Sequence, residues 1–153
     1  LSREGALADM LQMSQFDPSD KISSGSLGPY VVKPLVRKNS ALYKTWDAAG
    51  ARNLSSADDR AEYVDYCVKE LKRLLAGASA HLKSNWKSVP NGGVLFTTAV
   101  GGLLLLLDRL IKAGKTPSSI DYKTVLKNIA SFDFGTYTGS SWGKLSRALE
   151  AAL

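Results

Sequence analysis

The chain has 153 residues, of which 44% are hydrophobic and 22% are charged. These values are ordinary for a folded domain with a hydrophobic core, and they exclude a chain that is disordered over most of its length. Cys67 is the single cysteine and His81 the single histidine, which excludes an internal disulfide and a zinc site built from these residue types. The net charge of +6 at pH 7 favours acidic partners, most commonly nucleic acid.

The start of the chain predicts a helix followed by a loop. Apolar residues recur at helical spacing through residues 2–15, and the pair Asp17-Pro18 ends the pattern because a residue before proline disfavours the helical conformation. Residues 21–28 are rich in serine and glycine and predict a loop. Charged residues interrupt the first helix, so it does not predict a signal peptide, and we expect a cytoplasmic protein.

Two short helices are predicted next. Pro29 suits the first turn of a helix that continues to Val36, and Pro34 within that segment predicts a kink or a later start. Residues 41–49 predict another short helix, for which Gly50 is a natural end.

The clearest amphipathic helix follows. Ser55 or Ser56 can cap it, because an aspartate stands three residues after each of them, as in a capping box. Gly77 is expected either to end this helix or to weaken it. The residues predicted to share its buried face, at steps of three and four, are Ala61, Val64, Cys67, Val68, Leu71, Leu74 and Leu75.

The most apolar segment predicts a deeply buried helix over residues 95–111, after a strong break at residues 89–93. The apolar run of about 14 residues is too short to cross a membrane, which needs about 20. Gly101 and Gly102 each lower helix stability by about 1 kcal/mol relative to alanine. We therefore expect them to allow close packing with another helix, ahead of a bend or a backbone contact.

The remaining patterns complete the predicted fold. We expect a helix from Ser118 or the following serine to Ile129, an aromatic-rich loop over residues 131–140, and an amphipathic helix over residues 142–153. Together the patterns predict an all-α protein. Residues 1–153 are expected to form a single globular helical domain of about six to seven helices around the buried central helix.

No segment carries a complete catalytic motif. Residues 139–145 resemble a phosphate-binding loop, but the leading glycine is one residue too close and Leu145 replaces the Ser or Thr that would hold magnesium. The acidic residues Asp58, Asp59 and Glu62 suit a first helical turn, where negative charge is favourable. A nucleophile elbow with the pattern Gly-x-Ser-x-Gly is absent. We expect no catalytic residue, no metal and no cofactor, and no enzyme activity of this chain by itself.

Basic residues are the remaining candidates for a functional site. One cluster lies in residues 33–38, and another surrounds a tryptophan, where lysines can contact phosphates and the indole can stack on a base. The alternative is that this tryptophan packs in the core between solvated lysines. We favour this second interpretation. The candidate nucleic-acid contacts are Lys33, Arg37, Lys38, Lys83, Trp86 and Lys87.

Four stretches occur in an order that resembles a known family. They are Lys21-Ile-Ser-Ser-Gly-Ser with Tyr30-Val-Val-Lys-Pro-Leu35, the helix from Tyr63 to Trp86, Gly93-Val-Leu-Phe-Thr-Thr-Ala-Val-Gly-Gly-Leu-Leu, and the aromatic segment 129–142. Over residues 18–143 the chain is similar to the C-terminal part of DGQHR-domain proteins, which include the DndB-type regulators associated with DNA phosphorothioation. The name-giving Asp-Gly-Gln-His-Arg string is absent. No functional residue of the family maps onto this chain.

The resemblance implies a helical module in bacterial DNA modification, defence or transcriptional control. Because the first residue is Leu1, we expect a piece of a larger protein. The function hypothesis is a DNA-associated regulatory or accessory module that is not catalytic by itself, with DNA, a protein or the rest of its own chain as partner and no membrane contact. The alternatives are a protein–protein interaction or oligomerisation domain, and an enzyme fragment whose catalytic residues lie partly elsewhere.

Overall fold

The computed structural model describes residues 5–12 and 21–153, and helices dominate this part of the chain. A π-helical turn, Gly28–Val32, joins the first two α-helices without a break, so residues 24–36 form one continuous helical stretch. The α-helices are α1 (Ser24–Leu27), α2 (Lys33–Val36), α3 (Ala41–Trp46), α4 (Ala57–Leu82), α5 (Thr97–Lys112), α6 (Tyr122–Val125) and α7 (Trp142–Ala152).

Short elements connect the helices. Strand β1 (Leu11–Gln12) pairs in parallel with strand β2 (Ile22–Ser23), and this is the only sheet in the described residues. The prediction of an all-α fold is therefore confirmed. The 3₁₀ turns are Lys83–Asn85, Val89–Asn91, Pro117–Ser119 and Lys127–Ser131.

Helix α5 is the buried central helix that the sequence predicts. Ten of its 16 residues are buried, and it packs against α7, α4, α3 and the helical stretch 24–36. Its first turn is fixed by side-chain hydrogen bonds, since the Thr98 hydroxyl donates to the carbonyl of Gly139 at 2.6 Å and the Ser23 N–H donates to Thr97 Oγ1 at 3.0 Å. Within residues 5–12 and 21–153, no helix is both long enough and apolar enough to cross a bilayer.

The paired glycines of α5 lie where other helices come closest. A Cβ atom on Gly102 would stand 2.5 Å from Cγ and Cδ2 of Leu145, which is fully buried in α7. A Cβ atom on Gly101 would stand 3.1 Å from Cβ of Trp142. The prediction that these glycines allow close packing is confirmed.

Helix α4 begins as predicted but presents a different face. The Ser56 hydroxyl accepts a hydrogen bond from the Asp59 N–H at 3.3 Å, which confirms a serine cap. Ala61 and Val64 are exposed, so their prediction as buried residues is wrong. Tyr63 is buried in their place, because its hydroxyl reaches a backbone partner, the carbonyl of Val36, at 2.7 Å. A purely apolar periodicity overlooks such a residue.

Glycine 77 does not end α4, which continues for five more residues to Leu82. A Cβ atom on Gly77 would stand 2.6 Å from Cβ of Tyr122, so this glycine allows α6 to approach α4 closely. The expectation that Gly77 ends or weakens the helix therefore missed its packing role.

The predicted helix over residues 2–15 is wrong where the structure describes it. Residues 5–10 form turns, and the Met10 carbonyl accepts a hydrogen bond from the Ile22 N–H at 2.9 Å beside the small sheet. Asp9 has a positive φ of 59°, which interrupts a helix. Residues 2–4 and 13–15 of the prediction lie outside the described residues.

The predicted loop over residues 21–28 is also corrected, because it contains β2 and α1. Ser23 caps α1 by accepting a hydrogen bond from the Ser26 N–H at 3.2 Å. Serines favour both loops and helix caps, and here the cap prevails because Leu27 is buried in the core.

Residues 118–129 do not form the single helix that the sequence predicts, and a half-buried ion pair of α4 binds the start of this segment. The carboxylate of Glu70, which is only 1% exposed, accepts a hydrogen bond from Arg73 Nη1 at 2.8 Å. The same guanidinium donates to the carbonyls of Pro117 at 2.9 Å and Ile120 at 2.7 Å. Ile120 and Asp121 have extended backbone and the Asp121 side chain caps the short α6, so the segment consists of two 3₁₀ turns around α6.

Replacement of Gly102 by alanine should destabilise the protein. The new methyl group overlaps Leu145, so we expect a loss of about 1 to 3 kcal/mol in the free energy of unfolding despite the better helix propensity of alanine. Gly143→Ala is the control, since a Cβ there meets nothing within 4 Å, and it should stabilise by up to about 1 kcal/mol. Urea unfolding followed by circular dichroism compares them, and equal effects would contradict the packing argument.

Replacement of Arg73 by methionine should leave the Glu70 carboxylate buried without its cation. We expect a loss of about 3 kcal/mol in the free energy of unfolding, because a buried charge loses its partner. Lys69→Met, at an exposed position of the same helix, should change this free energy by less than about 0.5 kcal/mol. A similar small change for both variants in urea unfolding would show that the pair does not hold α4 to residues 117–122.

Candidate functional site

The six predicted contact residues fall into two separate groups. Lys33, Arg37 and Lys38 are exposed in and just after α2, whereas Lys83 and Lys87 are exposed beside the half-buried Trp86. The second group lies before the N-terminus of α5, and the first lies beside its C-terminal half. With a rise of about 1.5 Å per residue, the two groups are roughly 20 Å apart along α5.

The first group owes its position to the two-sided pattern of residues 24–36. Leu27, Val31 and Leu35 are buried and hold this stretch in the core, and the first two lie against Gly101 of α5. The opposite side of the stretch is solvent-exposed. The exposed positions of the stretch, together with those just after it, are Gly25, Pro29, Tyr30, Lys33, Pro34, Arg37, Lys38 and Asn39.

The charged residues of this region are all basic. Between Lys21 and Trp46 the chain has five basic residues and no acidic residue. Lys33, Arg37, Lys38 and Lys44 are all exposed, and we call these four residues the basic face. None of the four takes part in an ion pair in the part of the chain that the structure describes. Their positive charge is therefore available to a ligand.

A surface groove adjoins the basic face. It has a volume of about 540 Å³ and lies between the α2–α3 turn and the C-terminal half of α5. Arg37, Lys44 and Lys112 contribute its cations. Its one acidic residue, Asp108, already binds Lys112 at 2.6 Å, so the two charges compensate each other and Arg37 and Lys44 dominate. The apolar part of the lining includes Leu35, Leu105 and Ile111.

The second group is built around a tryptophan with a structural partner. The indole N–H of Trp86 donates to the carbonyl of Ala6 at 2.5 Å, and the ring packs against the core. The segment that follows Trp86, residues 87–95, is closed by a hydrogen bond from the Leu95 N–H to the Lys87 carbonyl at 2.9 Å. This arrangement corresponds to the alternative in which Trp86 packs in the core between solvated lysines. Lys83 and Lys87 are exposed on either side of Trp86.

An acidic residue also lies near the second group. Lys87 lines a pocket of about 270 Å³ together with Lys21 and Asp9. A carboxylate in the lining opposes an anionic ligand. The basic face, by contrast, lies in a segment without acidic residues, which ends before Asp47, and the one acidic residue of its groove, Asp108, is paired with Lys112.

The chemistry available elsewhere is limited. Among residues 5–12 and 21–153, no group of three or more His, Cys, Asp or Glu side chains is placed to hold a metal ion. Burial raises the pKa of the Cys67 thiol, which disfavours the reactive thiolate. Residues 139–145 do not follow a strand, and the carbonyl of Gly139 is bound by Thr98. This segment therefore lacks the strand that precedes a phosphate-binding loop.

Two residues of the site were missed in the sequence. Lys44 is isolated among apolar and polar residues of α3, and only the fold brings it to the same groove as Arg37. Tyr30 is 65% exposed, although tyrosine usually buries much of its ring. The absence of acidic residues from Lys21 to Trp46 is a signal that could have extended the site to both.

No protein-family model matches the chain, and neither a curated protein nor a solved structure matches it. The resemblance to DGQHR-domain proteins therefore stays a prediction.

Replacement of Trp86 by phenylalanine tests its structural role. Loss of the indole N–H leaves the Ala6 carbonyl without its donor, so we expect a loss of about 1 kcal/mol in the free energy of unfolding. Trp142→Phe is the matched control, because the indole of Trp142 makes no hydrogen bond within residues 5–12 and 21–153. Thermal and urea unfolding compare the two variants. Equal losses would show that the hydrogen bond of Trp86 contributes nothing.

Proposed function

We propose that this chain is a DNA-associated regulatory or accessory module that binds the phosphate backbone through the basic face. The observation that carries the proposal is the exposure of Lys33, Arg37, Lys38 and Lys44 on one region of the surface without an acidic partner. The net charge of +6 supports it. We propose further that the module acts in the cytoplasm, within a larger protein of DNA modification, defence or transcriptional control, as the family resemblance implies.

The physical basis is the release of counterions. A cation that neutralises a phosphate releases an ion that was condensed on the nucleic acid, and this term provides most of the affinity of sequence-independent binding. A surface cation already held by a carboxylate would first have to lose that partner. Arg37 and Lys44 have none in the described residues, and they adjoin the same groove.

A protein–protein interaction domain is the second candidate. The observation that favours it is the exposure of Tyr30 at 65%, because exposed aromatic residues are frequent in protein interfaces. Val64 and Val89 are also more than half exposed, but they lie on other elements, α4 and the turn after it. The exposed apolar side chains therefore do not gather into one large patch, which favours the phosphate-binding proposal.

The test is the affinity for a fluorescently labelled DNA duplex at several salt concentrations. The double variant Arg37→Gln/Lys44→Gln should bind about 10-fold or more weakly at low salt, and the slope of log affinity against log salt should fall by about 2, because about two phosphate contacts are lost. The control Lys69→Gln/Lys115→Gln removes the same charge from exposed positions elsewhere and should change both quantities little.

Equal weakening by the two double variants would assign the binding to net charge alone and would remove the basic face from the proposal. No binding of the unaltered protein to duplex or single-stranded DNA at low salt would reject the function for this chain. In that case a dimeric mass in solution would favour the interaction domain.

A further inference from the structure

We infer that the basic face binds single-stranded nucleic acid in preference to a duplex, and that Tyr30 is the surface on which one unpaired base stacks. This inference rests on the proposed function and adds the strand type and a contact residue. The phosphate-binding argument requires no aromatic ring, and Tyr30 is not among the predicted contact residues.

The ring of Tyr30 has an aromatic neighbour and is largely accessible to solvent. It stacks on the indole of Trp142, with 6.3 Å between ring centroids and 22° between ring planes, while the residue stays 65% exposed. Trp142 is itself held in place at the start of α7, where its Cβ lies against Gly101 of α5. A ring that is already oriented loses little conformational entropy when a base stacks on it.

The cations lie at the right separation from this ring. Tyr30 and Lys33 are exposed positions of the same continuous helical stretch, and Arg37 follows directly after its end. Seven residues of helix rise by roughly 10 Å, a distance that a few linked nucleotides of a flexible single strand can cover. A strand whose base stacks on Tyr30 can therefore place neighbouring phosphates beside Lys33 and Arg37.

The strand type follows from which part of the base is free. In a duplex each base is stacked on both faces, and a protein reaches only its edges in the grooves. An unpaired base offers its face, and stacking on an aromatic side chain together with backbone cations is the usual recognition of single strands. Tyr30 with its neighbouring cations has this composition.

Another exposed apolar residue shows the contrast. Val64 is 58% exposed on α4, but the exposed carboxylates of Glu62 and Asp65 stand beside it in the chain. Those charges would repel phosphate. Only Tyr30, among the three large exposed apolar residues of the described chain, lies within the acid-free segment from Lys21 to Trp46.

The experiment compares labelled oligo-dT of about 16 nucleotides with a duplex of the same length, by fluorescence anisotropy at low salt. Tyr30→Ala should weaken single-strand binding by about 5-fold to 100-fold, because stacking of one base contributes that much. Tyr30→Phe and Tyr30→Trp keep a flat ring and should retain most of the affinity. Val64→Ala removes an exposed apolar side chain elsewhere and serves as the control.

The salt dependence separates stacking from charge. Tyr30→Ala should leave the slope of log affinity against log salt unchanged, since tyrosine neutralises no phosphate, and should leave duplex binding unchanged. Circular dichroism of each variant checks the fold, which an exposed side chain should not affect.

Each remaining outcome decides between the two proposals. If Tyr30→Ala binds the single strand as the unaltered protein does, or if the duplex binds more tightly, the inference is wrong although the basic face can still bind DNA. If the unaltered protein binds neither strand type, both proposals fail together. If it binds neither and Tyr30→Ala abolishes self-association seen by light scattering, Tyr30 belongs to a protein interface.

Discussion

The contact between Gly102 of α5 and Leu145 of α7 sets the distance between the two central helices, and the rest of the core depends on that distance. A leucine side chain occupies the space that any Cβ at position 102 would need. Two adjacent glycines destabilise a helix, but here they allow the close approach at which Leu145 is fully buried. The other helices cover what remains of α5.

The basic face is a product of the same packing. Gly101 leaves room for Leu27, Val31 and Trp142 beside α5, so the stretch 24–36 is held by its apolar side. Lys33 on the opposite side is thereby presented to solvent on a fixed backbone, and Arg37 and Lys38 follow directly after the stretch. A binding surface on a rigid element loses less entropy on association than one on a mobile loop. The position of the basic face, which is hard to predict from the sequence, therefore depends on core packing that is easier to predict.

Patterns with strong local causes could be predicted from the sequence. The central helix, the close packing of Gly102 and the last helix follow from apolar periodicity and the cost of glycine, and the structure confirms them. The partners of polar side chains could not be predicted, because they depend on distant backbone. The Tyr63 hydroxyl binds the carbonyl of Val36, and Arg73 binds two carbonyls more than 40 residues away in the chain. Lys44 joins Arg37 for the same reason, since only the fold brings α3 and α2 to one groove.

The π-helical turn Gly28–Val32 affects the angular positions of the exposed side chains around the helix axis. The buried residues Leu27, Val31 and Leu35 recur at every fourth position, and in a regular α-helix such a row drifts around the axis by about 40° per step. A wider turn holds more residues per revolution and offsets this drift, so the row stays against α5. Deletion of one residue there would rotate α1 against α2 by about 100°, and the azimuth of Tyr30 relative to Lys33 would change with it. The length of a single turn thus determines which side chains share the outer surface.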